Sequence, residues 1–221
     1  MKKTIFLGFL LSLVFANVTF AASQSFVVTA NVPKATTVSF AVSEVTPPPV
    51  DANGDLIPGG KAVWQSVNGT DINFVNSANN SKMVYNSKKG TWGSNHYFAI
   101  DLSPTDALGT PSAGSYNNVS FAYAEVDNPN GAGKGLGNRA TITAIKAVYV
   151  EGAPADESTK LAGTPKALSS AINIPGADIA GGWLRVYVGL ADGSVPGVPA
   201  FTNADKPGNY KGTLTITATL I

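Results

Sequence analysis

The 221-residue chain carries one histidine, His96, and no cysteine, which leaves acid–base and metal chemistry little to work with. A Ser/His/Asp triad would have to use His96, between Asn95 and Tyr97 at the expected start of a strand. No Gly-x-Ser-x-Gly elbow supplies the nucleophile, so His96 reads as an ordinary surface or strand-end histidine. A metal site without thiolates and with a single imidazole needs a carboxylate cage. Asp51-Ala-Asn53-Gly-Asp55 begins like a calcium loop, but Leu56 stands where the sixth position takes glycine and Ala62 where the twelfth takes glutamate. That segment reads as a turn. Gly135-Leu-Gly137-Asn-Arg-Ala140 fits a loose G-x-G-x-x-A pattern. It runs into a β-rich segment, so no helix N-terminus is expected to hold a pyrophosphate. No catalytic, cofactor or metal residue is expected, and the chain does not read as an enzyme.

Three tryptophans could stack on sugar rings. Trp64 and Trp183 sit in strand-like runs, where packing in a core or between sheets is the commoner role. Trp92, between Gly90 and Gly93, reads as a loop anchor. A self-contained carbohydrate-binding module is therefore the second reading of the chain.

The elements that must position these residues follow from composition and periodicity. Met1 to Ala21 has the three parts of an export signal: basic Lys2-Lys3, an apolar run from Ile5 to Phe15, and the small-residue site Thr19-Phe20-Ala21. The apolar run is short of the ~20 residues that span a bilayer. The mature chain is expected to start at Ala22, to be exported and not to insert in a membrane. Of 15 basic and 14 acidic residues, removal of Lys2 and Lys3 leaves 13 against 14, a near-neutral chain that favours neither nucleic acid nor an anionic surface. Charged residues are 13 % of the chain, against ~25 % in an average globular protein. A poorly charged surface rich in Thr, Val, Ala and Gly suits a subunit packed against copies of itself. Without cysteine, stability must come from burial and ladder hydrogen bonds.

Short strands are expected at Lys34–Ser43, Ala62–Ser66, Asp71–Val75, Tyr97–Leu102, Asn118–Val126, Ala140–Val150, Trp183–Leu190 and Tyr210–Ile221. They are separated by Gly/Pro-rich turns, among them Pro47-Pro48-Pro49, Asp51–Gly60 and the glycine-rich stretch Asn128–Asn138. Only Pro165–Ala171 has any helical tendency. This spacing, without repeated helices, predicts an all-β sandwich.

The two ends complement each other. Phe26, Val28, Ala30 and Val32 fall on one face of an extended segment closed by Pro33. Thr213, Thr215, Thr217 and Thr219 alternate with Leu214, Ile216, Ala218 and Leu220 to the last residue, as in a half-buried strand. A sandwich ending inside a sheet is expected to leave an edge open, and a free segment of matching alternation from the next molecule could cover it. This arrangement predicts polymerisation.

Phe26-Val-Val-Thr-Ala-Asn-Val-Pro33, together with Gly208-Asn-Tyr210-Lys-Gly212 leading into a terminal Thr/apolar strand, resembles the major pilins of the alternate chaperone–usher pathway, the alpha-fimbrial or coli-surface-antigen type. The likeness covers the termini and the layout; residues 44–180 do not align. It implies an incomplete immunoglobulin-like β-sandwich spanning residues 34–221, preceded by a leader (1–21) and a donor-strand extension (22–33). A periplasmic chaperone lends the missing strand until, at the outer-membrane usher, the next identical subunit supplies Phe26, Val28, Ala30 and Val32. Leu214, Ile216, Ala218 and Leu220 would line the acceptor groove, with Thr36–Val42 as its other wall. The Ile221 carboxylate would anchor the chaperone, and Gly208 and Tyr210 would form a structural corner. The implied product is a surface fimbrium carrying a tip adhesin and supporting cell adhesion; a minor subunit of the same pilus is the neighbouring possibility.

Overall fold

The computed structural model describes residues 37–47, 57–74, 83–94, 96–106, 108, 114–147, 163–179 and 183–221. The expected leader, the donor segment Phe26–Pro33 and the calcium-like turn Asp51–Asp55 lie outside the described residues.

Within them the chain is all-β. In order come β1 (Thr37–Thr46), β2 (Val63–Ser66), β3 (Met83–Asn86), β4 (Thr91–Ser94), β5 (Tyr97–Thr105), β6 (Tyr116–Asp127), a single helical turn α1 (Leu136–Arg139), and β7 (Ala140–Ala147). There follow β8 (Lys166–Ala167), β9 (Ile172–Pro175), a 3-10 turn (Gly176–Asp178), β10 (Trp183–Leu190), β11 (Phe201–Thr202) and β12 (Lys211–Leu220). Every ladder is antiparallel. One sheet has the order β2-β1-β5-β10-β7-β8, a second β12-β6-β9, and a third β11-β4-β3.

The first two sheets supply one core. β5 turns Phe98, Ile100 and Leu102 inward, β10 Leu184, Val186 and Val188, and β7 Ile142. The period of two sets these in register: Leu184 opposes Leu102, Val186 opposes Ile100 and Val188 opposes Phe98. The second sheet answers with apolar rows that cross all three strands, Ile174–Val119–Ala218 and Ile172–Phe121–Ile216. Pairing of β6 with β12 steps over Asn117, so that Tyr116 joins Val119 in the core. Gly176 lies against this bulge, and an added Cβ would overlap the carbonyl oxygen of Tyr116.

The outer face of the six-stranded sheet has its own buried cluster of Val45, Tyr97, Ala99 and Tyr187, with Ala62 and Trp64 packed on it. At its centre Arg185, only 1 % exposed, faces its ladder partner Asp101. Nε and Nη2 donate to the two carboxylate oxygens at 2.6 and 2.8 Å. The guanidinium carbon sits 4.7 Å from the centroid of the Trp64 ring, a cation–π geometry. Trp64 thus packs on a buried charge, in keeping with the packing role expected of it.

Several expectations need correction. β1 runs on to Thr46, past Ser43, because β2 pairs with its last four residues. Residues 71–74, expected as a strand, form no ladder. Pro165–Ala171, expected to be weakly helical, holds strand β8 and a turn, because Lys166 and Ala167 complete the edge of β7. The helical turn that does form lies at Leu136–Arg139, at the end of the glycine-rich stretch. Trp92 stands in β4 and not in a loop.

Asp101→Ala removes two charge-assisted hydrogen bonds from a guanidinium that cannot deprotonate. It should cost about 3–5 kcal/mol, whereas pairing it with Arg185→Met should recover much of that loss. Urea unfolding of both variants checks this: equal stability for the single and double variants would contradict it.

Candidate functional site

The region that stands out is the open edge of the second sheet. β12 pairs on one side with β6, and among the described residues nothing pairs with its other side. Its alternation is clean: Thr213, Thr215, Thr217 and Thr219 are exposed, while Leu214, Ile216, Ala218 and Leu220 are half-buried and pack on the main core. The structure therefore brings the four expected groove residues onto one face of one strand.

β1 has a matching half-free stretch. β2 covers Ser43–Thr46 and the Val67 amide donates to the Val42 carbonyl at 2.9 Å, so over Thr37–Ala41 its described partner is β5 alone. Val38 and Val42 pack partly on the core, while Phe40 between them is 48 % exposed. A phenyl ring half in water, between two valines that are not, marks an unfilled apolar surface. β1 and β12 belong to different sheets and approach within 8 Å, Cα to Cα, at their nearest.

The residues at the ends of β12 are also placed. Ile221 is exposed at 69 % and its amide donates to the Ser115 carbonyl at 2.9 Å. At the other end, Gly208 adopts φ +147° with Pro129 against it, a backbone state that side-chain-bearing residues rarely adopt. The Tyr210 hydroxyl donates to the Lys206 carbonyl at 2.6 Å, and its ring meets Phe201 edge-on with centroids 4.8 Å apart.

Asp205, which the sequence reading did not single out, holds this corner. It accepts from the Thr202 amide at 2.6 Å, Asn130 Nδ2 at 2.6 Å and Arg139 Nη2 at 2.8 Å. Burial works to raise its pKa, but the Thr202 amide, the Arg139 charge and the Asn130 and Thr202 side chains outweigh it and hold the carboxyl below its ordinary value. The Asp205 signal was present in the chain as Thr202-Asn-Ala-Asp205, a turn in which aspartate bonds back to the backbone.

The other candidates are resolved by their neighbours. His96 is not a surface residue: its side chain is 9 % exposed, with Nε2 3.7 Å from Glu44 Oε1. The ladder that sets Glu44 opposite Phe98 carries it beside the start of β5. The G-x-G-x-x-A segment does open a helical turn, contrary to expectation, but the anion on its amides belongs to the chain. Glu125 accepts from Leu136 N at 2.9 Å and Gly137 N at 3.3 Å. Tyr123 donates its hydroxyl to the same carboxylate at 3.1 Å. Burial, then the Glu125 charge and that hydrogen bond, push the Tyr123 phenol upward. Gly137 and Gly212 both make room for the Tyr123 ring, since a Cβ at either would collide with it.

An aromatic cluster on the third sheet also escaped the sequence reading. Tyr85 and Trp92 oppose each other across β3 and β4, with centroids 5.0 Å apart and planes at 49°. Trp92 Nε1 donates to Asn203 Oδ1 at 2.8 Å, and Asn203 Nδ2 donates to the Tyr85 hydroxyl at 3.1 Å. The hairpin is closed by Asn86, whose Oδ1 accepts from the amides of Lys88 and Lys89, and by Gly90 at φ +68°. Asn and Gly at those turn positions were the available signal.

Comparison of the chain with family models, curated proteins and solved structures yields no match.

Asp205→Asn should lower stability at neutral pH by about 1–3 kcal/mol, because a charge-assisted acceptor of several donors becomes a neutral amide. The native carboxyl titrates below its unfolded value of ~3.9, so its contribution is full above that pH and is lost as pH falls through the native value. Denaturant unfolding at pH 7 and pH 3 should show the gap between wild type and variant shrinking toward the acid side. A gap that is constant or widens on acidification would contradict the assignment.

Proposed function

We propose that this chain is a structural subunit of a surface fimbria that polymerises by donor-strand exchange. The observation that carries the reading is the strand order. In an immunoglobulin-type sandwich seven strands divide as A-B-E-D and C-F-G. Here β1, β5, β10 and β7 follow one another across the first sheet, and β6 and β12 are neighbours in the second. Read in chain order, β1, β5, β6, β7, β10 and β12 take the places of A, B, C, D, E and F. The place of G, beside β12, has no occupant among the described residues.

Two features support this assignment. The Tyr210 hydroxyl reaches back four residues to the Lys206 carbonyl just before β12, as the tyrosine corner does at the start of strand F. The half-buried face of β12 and the exposed Phe40 on β1 flank the vacant place.

Residues 22–33 of the next subunit are the proposed occupant, with Phe26, Val28, Ala30 and Val32 turned inward. Strand addition satisfies main-chain donors and acceptors while alternate side chains fill pockets. Four apolar side chains at ~1.5–3 kcal/mol each contribute roughly 6–12 kcal/mol before ordering entropy is subtracted. Strands that flank a third lie about 9–10 Å apart. The closest approach of β1 and β12, within 8 Å, therefore has to widen where the donor seats between them. A periplasmic chaperone, with the Ile221 carboxylate as its anchor, an outer-membrane usher and a tip adhesin complete the proposed pathway. Residues 1–21 would direct export.

Appending a copy of Ser23–Pro33 after Ile221 through a flexible linker should complete the fold in cis, because the tether supplies the strand at high effective concentration. The expected product is a stable monomer by thermal unfolding and sizing. Val28→Asp in the appended copy should undo the gain, since it places a charge in an apolar groove. Ala30→Phe there should cost ~1–3 kcal/mol by overpacking. Equal stability with and without Val28→Asp, or continued polymerisation of the unmutated fusion, would refute the exchange. A stable monomer of the mature chain without any fusion would favour a self-contained module.

A further inference from the structure

We propose that Tyr85, Trp92 and Asn203 form a binding site for a neutral pyranose sugar on the third sheet. The cluster lies in an aromatic row across β3, β4 and β11: Trp92 is the ladder partner of both Tyr85 and Phe201. Exposure rises along it, from Phe201 at 5 %, through half-buried Trp92, to Tyr85 at 38 %. Phe201 packs on Tyr210 and serves the corner. Tyr85 and Trp92 are left at the surface.

A packing role does not account for how these two rings are held. Asn203 bridges their polar edges, accepting from the indole N–H and donating to the phenol oxygen. One exposed amide thus fixes two aromatic side chains that β3 and β4 already place side by side. The rings are preorganised, so a ligand stacking on them pays little additional side-chain ordering.

The remaining polar capacity points to the ligand class. The Tyr85 hydroxyl accepts from Asn203 and keeps its own proton to donate. The Asn203 amide has two donors and an acceptor oxygen with two lone pairs, of which these bonds use one each. Donor and acceptor beside an aromatic face match a pyranose, whose C–H face is apolar and whose hydroxyls both donate and accept. All three side chains are uncharged, so an ionic ligand has no counter-charge within the cluster. Nucleic acid, which requires a basic track beside its stacking rings, fits the near-neutral chain poorly. The reading is independent of polymerisation, since the cluster lies on a different sheet from β12.

Saturation-transfer NMR on the folded full-length chain tests the site. The probes are methyl β-D-galactopyranoside, methyl α-D-glucopyranoside, methyl α-D-mannopyranoside and N-acetyl-D-glucosamine. At least one should receive saturation on its ring C–H protons, with fluorescence of Trp92 perturbed and little difference between low and high salt. Tyr85→Ala should weaken binding by about tenfold or more. Tyr85→Phe, which keeps the ring and loses the hydroxyl, should weaken it less. Thermal unfolding confirms that both variants remain folded. Transfer to none of the four sugars, or transfer undiminished in Tyr85→Ala, would overturn the proposal. So would binding of oligothymidylate or a proline-rich peptide to the cluster in place of a sugar.

Discussion

β12 is committed to the core by its face, and among the described residues no strand pairs with its outer edge. Leu214, Ile216, Ala218 and Leu220 lie against the rows that β6 and β9 present. The strand therefore cannot leave without exposing the interior. Its outward main-chain groups meet no ladder partner among the described residues. Buried apolar area holds the strand in place, while the unmatched edge retains affinity for another strand. The proposed donor-strand exchange uses this pair of properties.

The scaffold around the edge is stiff where the edge needs support. Arg185 and Asp101 lock β10 to β5 from the outer face, under the Trp64 ring. Asp205, Arg139 and Asn130 tie the loop before β12 to the turn after β6. Tyr123 fills the space left by Gly137 and Gly212 and meets Glu125, which caps the turn after the glycine-rich loop. These are polar networks at the margins of an apolar core, and they tie strands and loops of both sheets together. The proposed acceptor groove would need such fixed walls, because a one-residue slip would turn every pocket to the wrong face.

The aromatic pair on the third sheet belongs to a different logic. Its rings are held by one amide and remain at the surface, in contrast to Tyr97 and Tyr187, which meet edge-on within a buried cluster. Placing the proposed ligand platform away from the proposed polymerising edge would allow a repeating subunit to offer many weak contacts along a fibre, where avidity and not individual affinity governs attachment.

Local pattern alone determined much of this protein. The alternation of Thr213–Leu220 specified a half-buried strand, and Val119, Phe121 and Tyr123 a core face, because a strand's period of two is written residue by residue. The corner at Gly208 and Tyr210 was expected from the family resemblance and not from the local pattern. Partnership across long separations was not legible. Nothing in Asp101 announces Arg185, 84 positions away, and nothing in Glu44 announces the burial of His96. Trp92 looked like a loop residue because its four-residue strand follows Gly90 and contains Gly93, and only pairing with Tyr85 and Phe201 makes it a strand. The Lys166–Ala167 segment became β-structure because β7 offered it an edge, which outweighed a weak helical preference. Side-chain periodicity is encoded locally, whereas which edge is paired and which is left free is decided by the whole set of strands. That β6 takes one side of β12 and no described strand the other is therefore decided only in the tertiary structure.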